Sequence, residues 1–282
     1  MRSTQLNTIL GVLGTAVTIA GASIAGAQVL QSSNDVSART RHLSGGEVRL
    51  APGSDTTDAG TLYTFKSKTD SLSWARNRAL ADRASGFRIV VSLQDRHLWA
   101  IVGEDTVLSA PASVAKGTTL EFGHSKWKFD TPRGPRTVLD KEADPIWQPP
   151  EWLYAETADE NDLKLGHVYA GHPIKLADGR LLEVRGDVVG VVEHGEFGAL
   201  PTDEHIVFDN TLFVPPLGTK NRKVEGELGK YRLNLGDGFL LHGTPYKDSI
   251  GLAATHGCVR LRDEDIEWLY EHVPVGTKVY IY

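Results

Sequence analysis

Apolar positions along this 282-residue chain fall into regimes with different periods. An apolar, charge-free stretch over 9–27 comes first, preceded by Arg2 and ending in Ala25-Gly26-Ala27. Over 28–61 Ser, Asp, Gly, Thr and Arg dominate, and the scattered Val and Leu keep no period, so the segment reads as a flexible spacer. Over 72–84, Leu72, Ala75, Ala79 and Leu80 recur among charged residues at a spacing that predicts a short amphipathic helix. Near Phe87 the pattern changes. The β-branched run Arg88-Ile89-Val90-Val91-Ser92-Leu93 is followed by the turn residues Gln94-Asp95-Arg96 and a second strand over 97–102. Gly103-Glu104-Asp105 then turns the chain into a third strand over 106–110, which completes a β-meander. Further strands are predicted at 181–185, 188–192, 206–208, 212–214, 238–241 and 278–282. One late segment, 262–273, has helical spacing. Arg262 or Asp263 can cap it, Asp263, Glu264 and Asp265 favour its positive end, and Ile266, Leu269 and Tyr270 form its apolar face, with Pro274 and Gly276 as the stop. The predicted fold class is mostly β, with one or few short helices.

The leading apolar stretch adds an address. Small residues before Gln28 fit signal-peptidase cleavage, so 1–27 reads as a signal peptide, with a membrane anchor over 9–27 as the alternative. Either way the remainder is expected to be exported to the periplasm or cell envelope. Thirty-six acidic against 30 basic side chains, with no Lys- or Arg-rich block, exclude a nucleic-acid footprint and an anionic-membrane patch. Six Trp and 13 Pro against one Met and one Cys suit a rigid extracytoplasmic protein that does not rely on disulfides.

That single cysteine carries the candidate chemistry. Cys258 lies in Thr255-His256-Gly257-Cys258-Val259-Arg260-Leu261, downstream of His242-Gly243. It has no intramolecular disulfide partner, and an oxidisable thiol kept in an oxidising compartment needs a reason to be there. A free thiol has a pKa near ~8.5, and an imidazole within hydrogen-bond reach is the usual means of activating it. His256 lies only two residues before Cys258 on the same stretch of chain, whereas His242 can be brought across from a neighbouring strand end. His242 is therefore assigned as general base and His256 to shaping the site. Gly257 and Gly243 mark close backbone approaches or tight turns, the amides of Gly257 and Cys258 are candidates for an oxyanion site, and Arg260 either binds a carboxylate or pins the loop. A buried structural cysteine and a hydrogen-bonded structural histidine are the bland alternatives for each residue taken singly. A zinc site from His242, His256 and Cys258 lacks a second cysteine and any familiar ligand spacing. No metal and no cofactor are assigned.

His242-Gly243-Thr244, Ser249-Ile250-Gly251 and the Thr255–Leu261 run together resemble the active-site signature of the L,D-transpeptidase catalytic domain, a family of bacterial cell-wall enzymes. The opening hairpin from Ile89 to Trp99, the Thr131-Pro132-Arg133-Gly134 turn and the closing strand over 273–281 extend the resemblance across 87–282, except for a poorly matching insert at about 149–214. The domain layout is therefore 1–27 leader, 28–86 spacer with a short helix, and 87–282 an L,D-transpeptidase-like sandwich or barrel. The resemblance implies a cysteine acyltransferase of peptidoglycan biosynthesis, and so of cell-wall biogenesis and cell shape. Cys258 would be its nucleophile, His242 its base, and the Gly243 carbonyl would orient the imidazole, with Thr255, His256, Gly257 and Arg260 filling the remaining motif positions. It further implies a thioester with a tetrapeptide stem, loss of D-alanine and transfer to an amine, giving a 3-3 cross-link, as well as acylation of Cys258 by carbapenems. Stem peptides are the implied partners, with an outer-membrane or wall protein as another acceptor and water as the carboxypeptidase alternative. A silent wall-binding module is a third reading, disfavoured by the intact Cys258/His242 pair. Thr255 replaces the commoner serine, and Pro135 is expected to stiffen its loop. The aromatic, Pro-rich 147–154 reads either as a lid or as a buried connector, and His167, His172, His194 and His205 as surface or structural residues.

Overall fold

A computed structural model describes residues 65–282. The leader and most of the spacer lie outside the described residues. Among those described, no helix is long and apolar enough to cross a membrane.

The run Phe87–Ser92 is almost wholly buried, which explains why it reads as continuous rather than alternating hydrophobic. It is the middle strand of a five-stranded sheet ordered Asp105–Pro111, His97–Val102, Phe87–Ser92, Lys278–Ile281, Gly134–Thr137. It pairs antiparallel with His97–Val102 and parallel with the C-terminal strand Lys278–Ile281. Pro135 sits in the edge strand of this sheet rather than in a loop. An edge position tolerates its missing N–H.

One face of Phe87–Ser92, with Ile89 and Val91, enters the main core beside Leu233, Leu241, Val259, Ile266 and Leu269. The other face is covered by helix α1 (Lys68–Arg83), where Ala81 and Trp74 meet Val90 and Tyr282. The short helix expected at 72–84 therefore starts earlier and is docked on the sheet: Trp74 packs edge-on to Tyr282 at 6.0 Å, and Arg133 pairs with Asp70.

Across the main core lies a second sheet, ordered Val259–Arg260, Leu240–His242, Tyr231–Asn234, Asp140–Ala143. The two sheets and a late helix enclose one core, so the mostly β architecture expected from the sequence is the one observed. The late helix, Asp263–His272, buries Ile266 and Leu269 completely, while Tyr270 stacks on Tyr231 at 4.4 Å. Neither expected cap operates through its side chain: Arg262 occupies the N-cap without a side-chain hydrogen bond, and Asp263 is already helical. The three first-turn acids are left to meet the positive helix end.

Between the core strands the chain builds the insert. It opens with helix α2 (Glu151–Glu160), which the sequence pattern did not predict. A four-stranded antiparallel sheet over Ile174–Ala199 and a three-stranded sheet of Ile206–Phe208, Thr211–Val214 and Lys164–His167 follow, with cores of their own. Tyr154 and Ala158 bury one face of α2 against Val207 and Leu212. Arg222 pins the base of the insert by donating from Nε to Pro149 O and from Nη1 to Pro215 O, each at 2.7 Å, under the Tyr154 ring. A cavity of about 610 Å³ opens in the insert, lined in part by Phe197, His205 and Phe208, and no motif residue borders it. The late helix, α3, completes the helices of the described chain.

Because Ile266 fastens α3 beneath Gly243, Ile266→Ala should cost about 2–5 kcal/mol of stability. A lowered denaturant midpoint at unchanged m-value is the expected result, and an unchanged midpoint would show that the α3 contact contributes little.

Candidate active site

The candidate site is made by two short parallel strands. Leu241 pairs with Val259 and His242 with Arg260. Leu241 and Val259 both point into the core. Alternation therefore turns His242 and Arg260 to the opposite face, and Cys258 stands just before the second strand, two residues from the imidazole's own partner.

Backbone bonds clamp this segment from the other side. Ser113 and Arg260 exchange N–H···O bonds at 2.8 and 2.9 Å, Val114 N donates to Leu252 O at 3.1 Å, and Lys116 N donates to Thr255 O at 2.8 Å. Within the loop, the Thr255 hydroxyl donates to Cys258 O at 2.6 Å and accepts from Gly257 N at 3.3 Å. A hydroxyl is what position 255 requires, and threonine supplies it. Gly257 has φ +148°, and a Cβ there would lie 2.9 Å from the Phe239 ring, so glycine is required both by conformation and by space. Gly243 is equally confined, its missing Cβ facing Asp263, Ile266 and Gly229 within 3.1–3.3 Å.

His242 is buried, and its Nδ1 lies 2.6 Å from the Gly243 carbonyl. A carbonyl can only accept, so Nδ1 carries the proton and Nε2 keeps the lone pair. Burial pushes the imidazole pKa down to about 4, with the nearby Arg260 charge acting in the same sense and the Gly243 and Leu228 carbonyls opposing. Burial also pushes the Cys258 thiol up, against a smaller pull from the Leu240 amide and Arg260. Both shifts favour neutral forms, so the resting pair is thiol and imidazole. The half-buried Cys258 donates weakly to Gly238 O at 3.8 Å.

Arg260 reaches Ser249 Oγ at 3.0 Å and lies over the Tyr246 ring at 5.5 Å. Its Nε is buried with no hydrogen-bond partner among the described residues. Tyr246 donates to Glu227 at 2.9 Å, and burial raises the Glu227 carboxyl although that bond and Arg260 oppose the shift. These neighbours went unread in the sequence. Ser249 belongs to the motif, whereas Glu227 and Tyr246 carry no local signature.

His256 is engaged on the side of the insert. Its Nε2 lies 2.7 Å from Glu156 Oε2, and its ring stacks on Trp152 at 4.0 Å and 19° and meets Phe129 edge-on at 4.5 Å. Burial alone would raise Glu156, yet the bonds from His256 and Lys116 outweigh it and bring the carboxyl to about 2. An anionic carboxylate accepts, so His256 Nε2 is the protonated nitrogen. The 147–154 segment is thus neither a free lid nor a plain connector: its second half starts a helix that docks on the motif. The insert histidines stay apart from the site, His167 beside Glu151 at 3.1 Å and His205 against Tyr154. Among the described residues, no group of three or more His, Cys, Asp or Glu could hold a metal.

Two β-sheets over one core, with His242 on one strand of a parallel pair and Cys258 at the start of the other, make a β-sandwich that carries the candidate site. The family model of the L,D-transpeptidase catalytic domain (YkuD) matches residues 86–281, and the chain belongs to that family. It is similar to the probable L,D-transpeptidase YbiS of Escherichia coli K12, 48% identical over 66 residues, which is 23% of this chain and 20% of the relative. Similarity to the probable L,D-transpeptidase ErfK/SrfK of Salmonella typhimurium reaches 44% over 57 residues, 20% of this chain and 18% of that protein. The matched segments span about a fifth of these curated relatives. Among solved structures, an L,D-transpeptidase from Xylanimonas cellulosilytica is similar at 18% identity and a TM-score of 0.35, over 73% of this chain and 69% of that one.

The buried imidazole has a consequence for acid stability. The unfolded chain takes up a His242 proton near pH 6.5 and the folded chain only near pH 4, so acidification through this window favours unfolding. At about 1.4 kcal/mol per pKa unit the loss amounts to a few kcal/mol, complete by pH 4. His242→Gln should flatten the stability slope between pH 6.5 and 4, leaving the smaller part due to His205 and His97, which burial also pushes down, and, towards pH 4, to the ion-paired Glu156. Denaturant melts across that range read it directly, and an undiminished slope would mean that His242 is not buried neutral.

Proposed function

We propose that this chain is a cysteine acyltransferase acting on peptidoglycan stem peptides, with Cys258 as nucleophile and His242 as base. The observation that carries the reading is the strand register that pairs His242 with Arg260, two residues after Cys258. In the first half-reaction the Cys258 proton passes to His242 Nε2 as sulfur bonds to the carbonyl carbon of the third stem residue. The bond to the terminal D-alanine breaks, and its leaving nitrogen takes the proton back from the imidazolium. An acceptor amine then attacks the thioester and loses its proton through His242, the thiolate departs and is reprotonated, and a 3-3 cross-link results. The neutral resting pair suits this sequence, because the thiol ionises only as the substrate arrives.

Arg260 offers its charge to a substrate carboxylate. The Cys258 amide is the first oxyanion donor. The Gly257 amide joins it by giving up its long 3.3 Å bond to Thr255. Export to the periplasm or cell envelope, through the leader over 1–27, belongs to the same reading. So does an outer-membrane or wall protein as an alternative acceptor.

Purified protein lacking residues 1–27, incubated with disaccharide-tetrapeptide, should yield by mass spectrometry a dimer that has lost one D-alanine. A monomeric tripeptide alone would instead make the enzyme a carboxypeptidase that uses water. Cys258→Ala should abolish both products and carbapenem labelling, and activity in that variant would remove Cys258 as nucleophile. His242→Ala should slow acylation by about 100-fold or more, and a normal rate would take the base role away from it.

A further inference from the structure

The catalytic motif closes a circuit with the insert. Lys116 donates its backbone N–H to Thr255 O at 2.8 Å and its ammonium to Glu156, and Glu156 accepts from His256 Nε2 at 2.7 Å. The circuit runs from 255 through 116 and 156 back to 256, two residues from the thiol. His256 is held in its ring plane by the carboxylate and across it by Trp152 and Phe129. Trp152 and Glu156 are four apart, on one face of α2. The opposite side of that helix, with Tyr154, is buried in the insert core. The helix therefore cannot shift without disturbing either the insert or the motif.

From this we infer that Trp152 and Glu156 are positioning residues: through His256 they hold the loop that carries Cys258, and the insert is a working part of the active centre rather than an appendage. The inference rests on the acyltransfer reading for its kinetic effect, since a loop misplaced by about 1 Å can lose on the order of 100-fold in rate. It makes no contact with substrate necessary, so the loss falls on kcat.

The test uses the protein without residues 1–27 and two readouts: turnover of disaccharide-tetrapeptide, and the pH profile of Cys258 alkylation by iodoacetamide, which needs no substrate. Glu156→Ala and Trp152→Ala should each lower kcat by about 10- to 100-fold with KM changed less than about 3-fold. The alkylation midpoint should move down towards that of an exposed thiol. Trp152→Phe, which keeps a ring on His256, should recover most of kcat. Wild-type kcat and alkylation profile in both alanine variants would overturn the inference. Should either alanine variant fail to fold, Glu156→Gln decides. It keeps the shape and one acceptor oxygen but loses the charge, and should cost kcat about 3- to 10-fold with KM steady and the midpoint lowered. Wild-type values in that variant overturn the proposal equally. If the wild-type protein turns over no stem peptide, the acyltransfer reading fails while the alkylation profiles still decide whether α2 holds the loop.

Discussion

The parallel pairing of Leu240–His242 with Val259–Arg260 is the constraint on which the rest of this structure depends. A one-residue slip would send Leu241 and Val259 to the open face and bury His242 and Arg260 in the core, so packing and chemistry are fixed by one register. The core enforces it: Leu241 and Val259 are essentially inaccessible, and Leu261 N donates to His242 O at 2.9 Å just beyond the pair. A two-residue strand cannot hold such a register alone. Segment 113–116, α3 beneath Gly243 and the Thr255 hydroxyl supply the additional fixation.

Burying His242 fully and Cys258 in part has an electrostatic cost. Desolvation moves the thiol and imidazole pKa values apart, which keeps both groups uncharged until a substrate changes the surroundings. A neutral thiol is less prone to oxidation than a thiolate. Arg260 is the permanent charge beside the pair. It disfavours a protonated His242 and favours an ionised Cys258, and its Nε is buried with no hydrogen-bond partner among the described residues.

What could be read from the sequence divides along the range of the interactions. The opening meander, the late helix and the C-terminal strand announce themselves through runs of four or more residues with a clear period. The motif announces itself because a lone cysteine with flanking glycine and histidine is chemically unusual. Many elements around the site are only two to four residues long, as with Val114–Ala115, Val259–Arg260 and Gly134–Thr137, and show no period. Helix α2 was hidden behind Pro149-Pro150 and an aromatic run that reads equally well as loop. The Glu156–His256 bond joins positions 100 residues apart, so no local pattern encodes it. His256 stands near the thiol in sequence, while its carboxylate and ring partners come from distant segments.

The claim at the centre of this account is that Cys258 and His242 rest as a neutral pair. A pH titration of the folded protein, following thiolate ultraviolet absorbance together with the nitrogen resonances of the His242 ring, tests it most directly. The account predicts no thiolate at neutral pH, a ring protonated on Nδ1 alone, and gain of the second ring proton only near pH 4. Thiolate absorbance accompanied by a doubly protonated His242 at neutral pH would contradict it, and would make the resting state a preformed ion pair.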